Sequence, residues 1–265
     1  MARRFWLEGA SLLLTARSHA ALADLAASLP AHGGQRVFVF SCDLADPDAP
    51  NLIARQMADR FGNLHVLVNN AAIQGPIGPS WTHSGSEWEE AIRVDFLSPA
   101  ALCRRCIPLM KGDRRCKIIN ISGGGATSAR PYFSAYAAAK TGLVRFSECL
   151  AAEIREMEID VNCVAPGAMP TAMTDAILNA GPSSAGVEEY ESAWKLRQRN
   201  ASKIDRAVDL CVFLGSAASD GISGRLLSAV WDSWAQLPAR REELEKSDVY
   251  TLRRITPKDR GFDWE

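Results

Sequence analysis

Short, almost wholly apolar runs recur along the chain, separated by longer stretches in which apolar residues have helical spacing. A strand covered by helices on both faces is apolar at nearly every position, so each run predicts a buried strand of a parallel sheet. The predicted strands are Ser11–Ala16, Arg36–Cys42, Leu64–Asn69, Lys117–Ser122, Ile159–Val164 and Arg225–Val230.

The stretches between these runs predict the helices that cover the sheet. Parallel neighbouring strands need a crossover connection, and a strand–helix–strand crossover is almost always right-handed. The alternation therefore predicts a single α/β domain with one open, doubly wound parallel sheet, and a length of 265 residues suits one such domain. The predicted helices are Ala20–Leu29, Asp48–Arg60, Ser86–Asp95, Ala100–Met110, Ser134–Arg155 and Asp205–Leu214.

The beginning of the chain departs from this alternation. Met1–Gly9 has the pattern of the last turns of a helix that ends at a glycine, and a predicted strand follows directly. A doubly wound sheet that binds a dinucleotide, the Rossmann-type fold, begins instead with a strand that runs into a glycine-rich turn and a helix. The pattern therefore predicts a Rossmann-type domain whose first βα unit is absent from this sequence.

Two further segments lie outside the alternation. Thr171–Arg199 has helical spacing, is broken by Gly-Pro-Ser-Ser at 181–184, and follows a predicted strand end. Because α/β folds place substrate lids there, residues 171–200 are predicted to form a lid. Residues 238–265 are highly charged and contain few aliphatic side chains, which predicts an extension on the surface or against a neighbouring subunit. The domain itself is predicted to span residues 1–237.

The charge and hydrophobicity of the chain narrow the classes of partner. The 30 basic and 31 acidic residues give a formal charge of -1, which offers no electrostatic reason to expect nucleic acid or an anionic membrane surface as a partner. No stretch approaches the ~18 apolar residues that a membrane-spanning helix needs. The N-terminal apolar run is also shorter than that of a signal peptide. A cytoplasmic protein without a membrane segment is therefore predicted.

The seven cysteines are scattered along the chain, and their number is odd. Only Cys103 and Cys106 have C-x-x-C spacing, and neither a second such pair nor a pair of histidines completes a zinc site. Reduced cysteines and no metal site are therefore predicted, in agreement with a cytoplasmic location.

Tyr136 and Lys140 form the clearest chemical pattern, Tyr-Ala-Ala-Ala-Lys. Residues four apart on a helix share one face. A phenol with a pKa of ~10 is a poor proton-transfer group at neutral pH, and lowering that pKa by ~3 units requires ~4 kcal/mol in favour of the phenolate. An ammonium group ~4 Å away, at an effective dielectric constant of about 20, supplies about that much. Ordinary amphipathic helices contain the same spacing, so the context has to decide between the two interpretations.

Polar or small residues follow several predicted strands, at the edge where α/β folds bind ligands. An asparagine–alanine pair would let a ligand approach closely, although a plain asparagine turn has the same sequence. An aspartate–leucine pair would place a carboxylate near an adenine amino group, but a helix N-cap would look the same. A Pro-Gly turn followed by a threonine could hold a carboxamide, and such turns are also generic in loops. The candidates are Asp43, Leu44, Asn70, Ala71, Pro166, Gly167 and Thr171.

In this order along the chain, these motifs resemble those of the short-chain dehydrogenase/reductase family, over about residues 5–230. The resemblance implies NAD(P)(H)-dependent interconversion of a carbonyl and a secondary alcohol on a small-molecule substrate. Tyr136 would be the general acid/base, and Lys140 would lower the pKa of this tyrosine and hold the nicotinamide ribose. The hydride would come from the cofactor and the proton from the protein. The residues that carry the resemblance are Asp43, Asn69, Asn70, Ala71, Tyr136, Lys140, Pro166 and Gly167.

The choice of cofactor depends on the end of the first predicted strand. An acidic residue there binds the ribose 2′-hydroxyl of NAD, whereas a nearby arginine accepts the 2′-phosphate of NADP. Thr15-Ala16-Arg17-Ser18 contains no acid and one arginine, whose fork of donors suits a phosphate. The sequence therefore predicts NADP rather than NAD, with Arg17 as a ligand. The alternative for Arg17 is a solvated surface arginine.

The serine position of the family pattern is one departure. The family's catalytic serine corresponds to Gly123, one residue after Ser122. Adjacent strand residues face opposite ways, so Ser122 would reach a substrate only if the following glycines bend the chain. Ser122 is retained as a candidate catalytic residue, and Thr127, Ser128 or Ser134 could substitute for it.

Two other departures concern the cofactor site and the helix that precedes Tyr136. The family's glycine-rich phosphate loop has no counterpart in this sequence, and its backbone amides would form most of the anion site. The family's helix asparagine, which sustains a proton relay through the lysine, corresponds to Asp95. An ionised carboxylate accepts hydrogen bonds but does not donate them, so such a relay would be altered.

Two hypotheses of different classes follow. The first is an NADP-dependent reductase, favoured by the intact Tyr136, Lys140, Asn70 and Thr171. The second is a catalytically degenerate relative that acts as a binding or structural subunit, favoured by Gly123 and Asp95. The resemblance also implies a homodimer or homotetramer built on the helices predicted over residues 100–110 and 134–155.

Overall fold

A computed structural model describes residues 1–31, 33–198 and 203–264 of the chain. All six predicted strands are present, and helices alternate with them. The strands are β1 (Leu12–Ala16), β2 (Val37–Ser41), β3 (Val66–Asn69), β4 (Cys116–Ile121), β5 (Ile159–Ala165) and β6 (Arg225–Ser228). The helices are α1 (Ala2–Leu7), α2 (His19–Ala27), α3 (Ala49–Phe61), α4 (Gly85–Ile92), α5 (Ser98–Cys106), α6 (Ser134–Glu153), α7 (Ala172–Ala185), α8 (Val187–Arg197), α9 (Lys203–Leu214) and α10 (Arg241–Glu245).

The strands form two parallel sheets instead of the single continuous sheet that the alternation predicts. β1 pairs with β2, and the other four strands are ordered β3-β4-β5-β6. The α/β class and the parallel pairing are confirmed, and the break between β1 and β3 lies at the place of the strand that the sequence predicts to be absent. In a doubly wound sheet the first strand lies between the second and the fourth. No strand precedes β1 among the described residues, so β1 and β3 each have an unpaired edge.

A hydrophobic layer of helices connects the two sheets. Ile53 of α3 and Leu102 of α5 belong to a buried cluster that also contacts Phe40 of β2 and Leu67 of β3. The Ser98 hydroxyl at the start of α5 donates a hydrogen bond of 2.6 Å to the backbone carbonyl of Leu44, which lies in the turn after β2. The sheets are therefore held together through side chains in the helix layer, without a strand ladder between them.

The centre of the core lies on β4 and β5, whose side chains are buried on both faces. Ile119 packs towards α9, where it meets Leu210, whereas Ile118 packs towards α5 and α6, where it meets Leu150. This explains why the β4 and β5 runs are apolar at most positions and do not alternate.

The beginning of the chain forms the predicted end of a helix. Trp6 of α1 is buried, and its indole nitrogen donates to the Pro30 carbonyl over 2.8 Å. Gly9 follows with a φ of 93°, a left-handed conformation that glycine adopts without a steric penalty. Helix α1 is thereby fixed beside β1, which starts three residues later.

A π-helical turn, Arg93–Leu97, joins α4 to α5. A π turn continues the helix but changes the spacing of its side chains. The regular helical spacing of apolar residues is interrupted there, so the sequence pattern predicts two separate helices. Asp95 lies in the middle of this turn, and its side chain is fully buried. Single π turns are often found at functional sites.

The segment after β5 and the end of the chain pack on the rest of the domain. Helix α7 is broken at Gly181, which has a φ of 74° and lies at the predicted interruption. Residues 199 and 200 of the predicted lid lie outside the described residues. The C-terminal segment covers the outer edge of β6, where the Leu226 amide donates to the Tyr250 carbonyl over 2.8 Å. The last predicted residue of the extension, 265, also lies outside the described part.

The unpaired edges predict a specific pattern of amide exchange. The Leu12 amide bonds to β2 and the His65 carbonyl bonds to β4. Because alternate residues of a parallel strand point to opposite neighbours, the amides of Leu13 and Thr15 in β1 and of Val66 and Val68 in β3 face the unpaired edges. Hydrogen–deuterium exchange should be much faster at these amides than along β4. Equal protection in β1, β3 and β4 would show that both edges are paired.

Candidate active site

Tyr136 and Lys140 lie one turn apart near the beginning of α6, on the face that packs against the end of β4. Both side chains are buried, with residue exposures of 6% and 2%. The Lys140 Nζ atom donates a hydrogen bond of 3.1 Å to the Ile121 carbonyl, the last of β4. It lies 5.6 Å from the centre of the Tyr136 ring. The structure thus places the phenol and the ammonium side by side at the carboxyl end of a central strand.

Gly123 lies directly against the Tyr136 hydroxyl. A Cβ atom added to this glycine would be 2.1 Å from the hydroxyl oxygen, so the tyrosine occupies the space that a side chain at 123 would need. The Tyr136 hydroxyl makes no hydrogen bond to any described residue. The position that corresponds to the family's serine is therefore filled by the phenol itself.

The geometry does not support a catalytic role for Ser122. Its amide still bonds to the Val164 carbonyl in the sheet, so the chain has not yet bent at this residue. Gly123 faces the tyrosine, and adjacent residues of an extended chain face opposite ways. The Ser122 hydroxyl is buried without a hydrogen-bond partner among the described residues.

The three alternative hydroxyls lie in two places. Thr127 and Ser128 line an open cavity of about 640 Å³ on the other side of α6, between the loop that connects β4 to α6 and residues 252–254. Tyr136 and Lys140 do not line that cavity. The Ser134 hydroxyl, two residues before Tyr136, is buried and has no partner among the described residues.

Asp95 reaches Lys140 from the π-helical turn. One carboxylate oxygen accepts a 2.8 Å hydrogen bond from the Ile73 amide. The other oxygen lies 3.7 Å from Lys140 Nζ, beyond hydrogen-bond distance, and has no hydrogen-bond partner in the described part of the chain. The site therefore contains a fully buried carboxylate beside a buried ammonium group.

The ionisation of the site differs from the expectation that Lys140 lowers the pKa of the tyrosine. Burial, and after it the charge of Asp95, together raise the pKa of Tyr136 to about 12, although Arg130 acts in the opposite direction. Burial also raises the pKa of Asp95 to about 6, although Lys140 and the Ile73 amide act in the opposite direction. For Lys140, burial lowers the pKa and Asp95 raises it. The predicted activation of the phenol is therefore absent from this arrangement, because burial disfavours the phenolate and Asp95 offsets the lysine charge.

Apart from Tyr136 and Lys140, the predicted cofactor residues lie at the carboxyl ends of parallel strands or in the loops that follow them. They form four groups, at the end of β1, in the turn after β2, at the end of β3 and in the loop from β5 to α7. The first two groups follow strands of the two-stranded sheet, and the other two follow strands of the four-stranded sheet. Parallel strands end at the same edge, which is where ligands of α/β folds bind. These residues are Arg17, Asp43, Leu44, Asn70, Ala71, Pro166, Gly167 and Thr171.

The candidate residues after β1 and β2 make few polar contacts with other described side chains. Arg17 is exposed and makes no hydrogen bond or ion pair with the described residues. Asp43 is also exposed, and its carboxylate accepts a 2.9 Å hydrogen bond from the Ala45 amide in a local turn. Leu44 is half-buried in the cluster that joins the two sheets. These features leave Arg17 free to bind an anion and show Asp43 in part as a turn residue.

The residues at the ends of β3 and β5 are more exposed. Asn70 and Ala71 are exposed directly after β3. Gly167 has a φ of 81°, and a Cβ there would lie 2.7 Å from a Val230 methyl group, so only glycine fits this turn. Thr171 caps α7 in a reciprocal capping box with Thr174, a role the sequence analysis did not include.

The polar groups at this edge fit the nicotinamide and ribose part of a dinucleotide. The Tyr136 hydroxyl makes no hydrogen bond to the described residues, Lys140 makes one, and the buried side-chain nitrogen of Gln74 has no partner there. Ribose hydroxyls and a carboxamide supply complementary donors and acceptors. The diphosphate of the dinucleotide has no such match, because a doubly wound fold binds this group at the turn after the first strand of the fold. No residue of this chain is assigned to it.

Arg130 is a site residue that the sequence analysis missed. Its guanidinium group lies 4.0 Å from the centre of the Phe133 ring and 5.7 Å from that of Tyr136. Two of its nitrogens bind the two carboxylate oxygens of Glu189 in α8, each over 2.9 Å. The available signal was a single charge in an otherwise small and polar loop, and that signal does not specify a contact made 59 residues away.

Comparisons with known proteins identify the class. A sequence profile described as Enoyl-(Acyl carrier protein) reductase matches residues 1–229. Dehydrogenase/reductase SDR family member 7B from Bos taurus is 30% identical over 83% of this chain and 67% of its own length. A fatty acyl-CoA reductase from Acinetobacter baylyi is 26% identical over 94% of this chain and 85% of its own length.

The fold comparison agrees with the sequence comparison. The RhlG/NADP active-site complex of Pseudomonas aeruginosa superposes with a TM-score of 0.72, at 24% identity, over 86% of this chain and 88% of that one. The chain belongs to the short-chain dehydrogenase/reductase family, a family of nicotinamide-dependent oxidoreductases. Among the described residues, no helix is both long enough and apolar enough to cross a membrane.

Proposed function

We propose that this protein interconverts a small carbonyl compound and a secondary alcohol with NADP(H), and that Tyr136 is its general acid/base. The observation that carries the proposal is the buried pairing of Tyr136 with Lys140 at the end of β4, where the lysine also bonds to the Ile121 carbonyl. A positioned phenol next to a fixed cation is suited to proton transfer at a substrate oxygen.

In the reductive direction, the Tyr136 hydroxyl donates its proton to the carbonyl oxygen of the substrate. The bound nicotinamide supplies the hydride that reaches the carbonyl carbon. Lys140 would hold the ribose hydroxyls and keep the positive charge close to the phenol. Both side chains are largely buried, which limits the contact of water with the two groups.

The absence of a serine at position 123 predicts a slow enzyme. Without that hydroxyl, polarisation of the substrate carbonyl depends on the Tyr136 hydroxyl. Loss of one such donor typically lowers the rate by about 10² to 10³. Ser134, whose hydroxyl is buried and unpartnered in the described part, is the remaining candidate for a second donor.

The NADP preference is proposed from the end of β1. Arg17 is exposed there, and no acidic residue occupies the positions around it. The Pseudomonas aeruginosa RhlG complex, which shares the fold, contains NADP. The other proposed cofactor contacts are made by Asp43, Leu44, Asn70, Ala71, Tyr136, Lys140, Pro166, Gly167 and Thr171.

Replacing Arg17 with serine should therefore weaken NADPH binding by about 10- to 100-fold, because a charged hydrogen bond contributes about 1.5–3 kcal/mol. NADH binding should remain unchanged, since NADH has no 2′-phosphate. Arg55→Ser, an exposed position on α3, is the matched control. Quenching of the fluorescence of the seven tryptophans measures both affinities. An equal loss for NADH and NADPH would contradict the proposed contact.

The direct test of the function is titration with NADPH and with NADH, followed by oxidation of NADPH with a panel of aldehydes and ketones. It is made on this chain and on a form extended ahead of Met1 by a strand and a glycine-rich turn. We expect binding and turnover in the extended form at least. Absence of nucleotide binding in both forms would exclude the oxidoreductase function.

The unpaired edges of β1 and β3 favour one alternative, a binding or structural subunit without turnover. In that case the apolar positions at these edges would contact a partner chain, and Tyr136 would have only a packing role. Stable association of the chain with a second protein, without nucleotide binding, would support this alternative.

The predicted lid and assembly remain proposals. Residues 171–198 contact the site through the Arg130–Glu189 ion pair and through Phe133, which packs on Ile177, as a closed lid would.

We also propose a cytoplasmic homodimer or homotetramer. Five of the seven cysteines are buried, and a cytoplasmic location would keep all seven reduced.

A further inference from the structure

The buried charges around Tyr136 are balanced in an unusual way. Asp95 and Lys140 are both inaccessible, with exposures of 0% and 2%, and their charged atoms lie 3.7 Å apart. One Asp95 oxygen has no hydrogen-bond partner among the described residues, so its charge is compensated mainly through space by Lys140. The phenol of Tyr136 adds a third ionisable group to the same enclosed volume.

We propose that Asp95 neutralises the charge of Lys140 and thereby holds Tyr136 as a phenol, which sets the site to donate a proton rather than accept one across the neutral pH range. This inference rests on the proposed function for its catalytic meaning. Asp95 acts through Lys140 and Tyr136, so it is a positioning residue.

The charge count gives the physical reason. With Asp95 ionised and Lys140 protonated, the three groups have a net charge of zero, and loss of the phenol proton would leave one uncompensated negative charge in a buried site. With a neutral residue at position 95 the same groups carry one positive charge, and loss of that proton would leave none. Burial penalises the first phenolate and favours the second, because an isolated buried charge is costly.

The other charged or titratable groups around the three are either paired with an opposite charge or neutral. Arg130 faces the Tyr136 ring and favours the phenolate, but two of its nitrogens bind Glu189, which compensates its charge. Cys163 of β5 lies near Lys140, and burial raises its pKa to about 12, which keeps the thiol neutral. The Ile73 amide and the Ile121 carbonyl are uncharged. The raised pKa of Tyr136, to which Asp95 contributes, agrees with the proposal.

The consequence for the reaction is a shift of its pH dependence. Reduction moves the phenol proton to the substrate oxygen while the hydride adds to carbon, and oxidation needs the phenolate to take that proton back. A catalyst does not alter the equilibrium between carbonyl and alcohol. Asp95 therefore sets the pH above which the reductive rate falls and the oxidative rate rises, and it moves that pH upward.

The test is Asp95→Asn, which removes the charge and keeps the shape. Tyrosinate absorbance is followed against pH without substrate or cofactor, and subtraction of the same titration in a Tyr136→Phe background isolates Tyr136 from the other three tyrosines. We expect its titration to move down by about one to three pH units, the usual effect of a nearby charge. The double variant Asp95→Asn with Lys140→Met should return it to high pH, a reversal that a purely structural role would not produce.

Asp220→Asn is the matched control, because Asp220 lies 2.6 Å from the other buried lysine, Lys117, and should leave the Tyr136 titration unchanged. Asp95→Ser replaces Asp95→Asn if the latter does not fold. An unchanged Tyr136 titration in a folded neutral variant would overturn the inference. If the Tyr136 titration shifts but the wild-type protein shows no turnover, the proposed function is rejected and the electrostatic role of Asp95 is retained. With turnover, the pH profile should shift by the same amount.

Discussion

Tyr136→Phe should abolish measurable turnover and leave nucleotide affinity nearly unchanged. General acid–base catalysis typically contributes about 10² to 10⁴ in rate, and this site has no described hydroxyl within hydrogen-bond distance of the Tyr136 oxygen to replace it. The hydroxyl is not bonded to any described residue, so its removal leaves no buried donor or acceptor unpaired. The ring, which fills the space beside Gly123, remains in the variant.

The measurement is kcat with saturating NADPH, together with the dissociation constant for NADPH from tryptophan fluorescence. Tyr250→Phe is the matched control, because Tyr250 lies in the C-terminal segment next to β6 and should keep full activity. If Tyr136→Phe retains turnover, Tyr136 loses its proposed role. If nucleotide affinity falls as strongly as the rate, the tyrosine serves mainly in binding.

Lys117→Met should lower the free energy of unfolding by about 3–5 kcal/mol, the usual result of removing one partner from a buried ion pair. Lys117 lies on β4 with its Nζ 2.7 Å from Asp160 and 2.6 Å from Asp220. Asp160 is almost fully buried, and without the lysine its partners among the described residues are Arg115, at 3.3 Å, and the Gly221 amide. The variant therefore leaves a buried carboxylate with incomplete compensation.

Urea denaturation of the purified protein measures the effect. Lys195→Met is the matched control, because the Lys195–Glu191 pair on α8 is 3.5 Å long and exposed, and exposed pairs of this kind contribute about 0.3–0.5 kcal/mol. Asp220→Asn should have an intermediate effect, since Asp160 still faces the lysine. A loss below about 1 kcal/mol for Lys117→Met would show that water or rearrangement compensates Asp160.

The local elements were predictable because their causes are local. Both Leu12–Ala16 and Cys116–Ile121 consist mainly of residues that favour a buried strand, and Gly9 and Gly181 interrupt helices where the chain needs a positive φ. The position of Tyr136 relative to Lys140 also follows from the helical repeat. These features depend on a few neighbouring residues and can therefore be predicted from the sequence.

The boundaries were less predictable where the backbone departs from a regular repeat. The π-helical turn at Arg93–Leu97 joins two helices that the pattern separates, and it carries Asp95 into the interior. Nothing in the apolar spacing marks this turn, because its stability comes from packing and from the hydrogen bond between Asp95 and the Ile73 amide. The contact between Arg130 and Glu189 likewise depends on how α8 folds back over the loop.

The sequence by itself determined the α/β class, the parallel strands, the strand ends at which polar residues collect and the placement of Tyr136 beside Lys140. Periodicity and helical geometry are sufficient for those features. Only the tertiary structure decided that the strands form two sheets, that Gly123 faces the phenol in place of Ser122, and that Asp95 opposes the charge of Lys140. These features depend on burial and on distances between residues remote in sequence, and such distances set both the pairing of strands and the free energy of a buried charge.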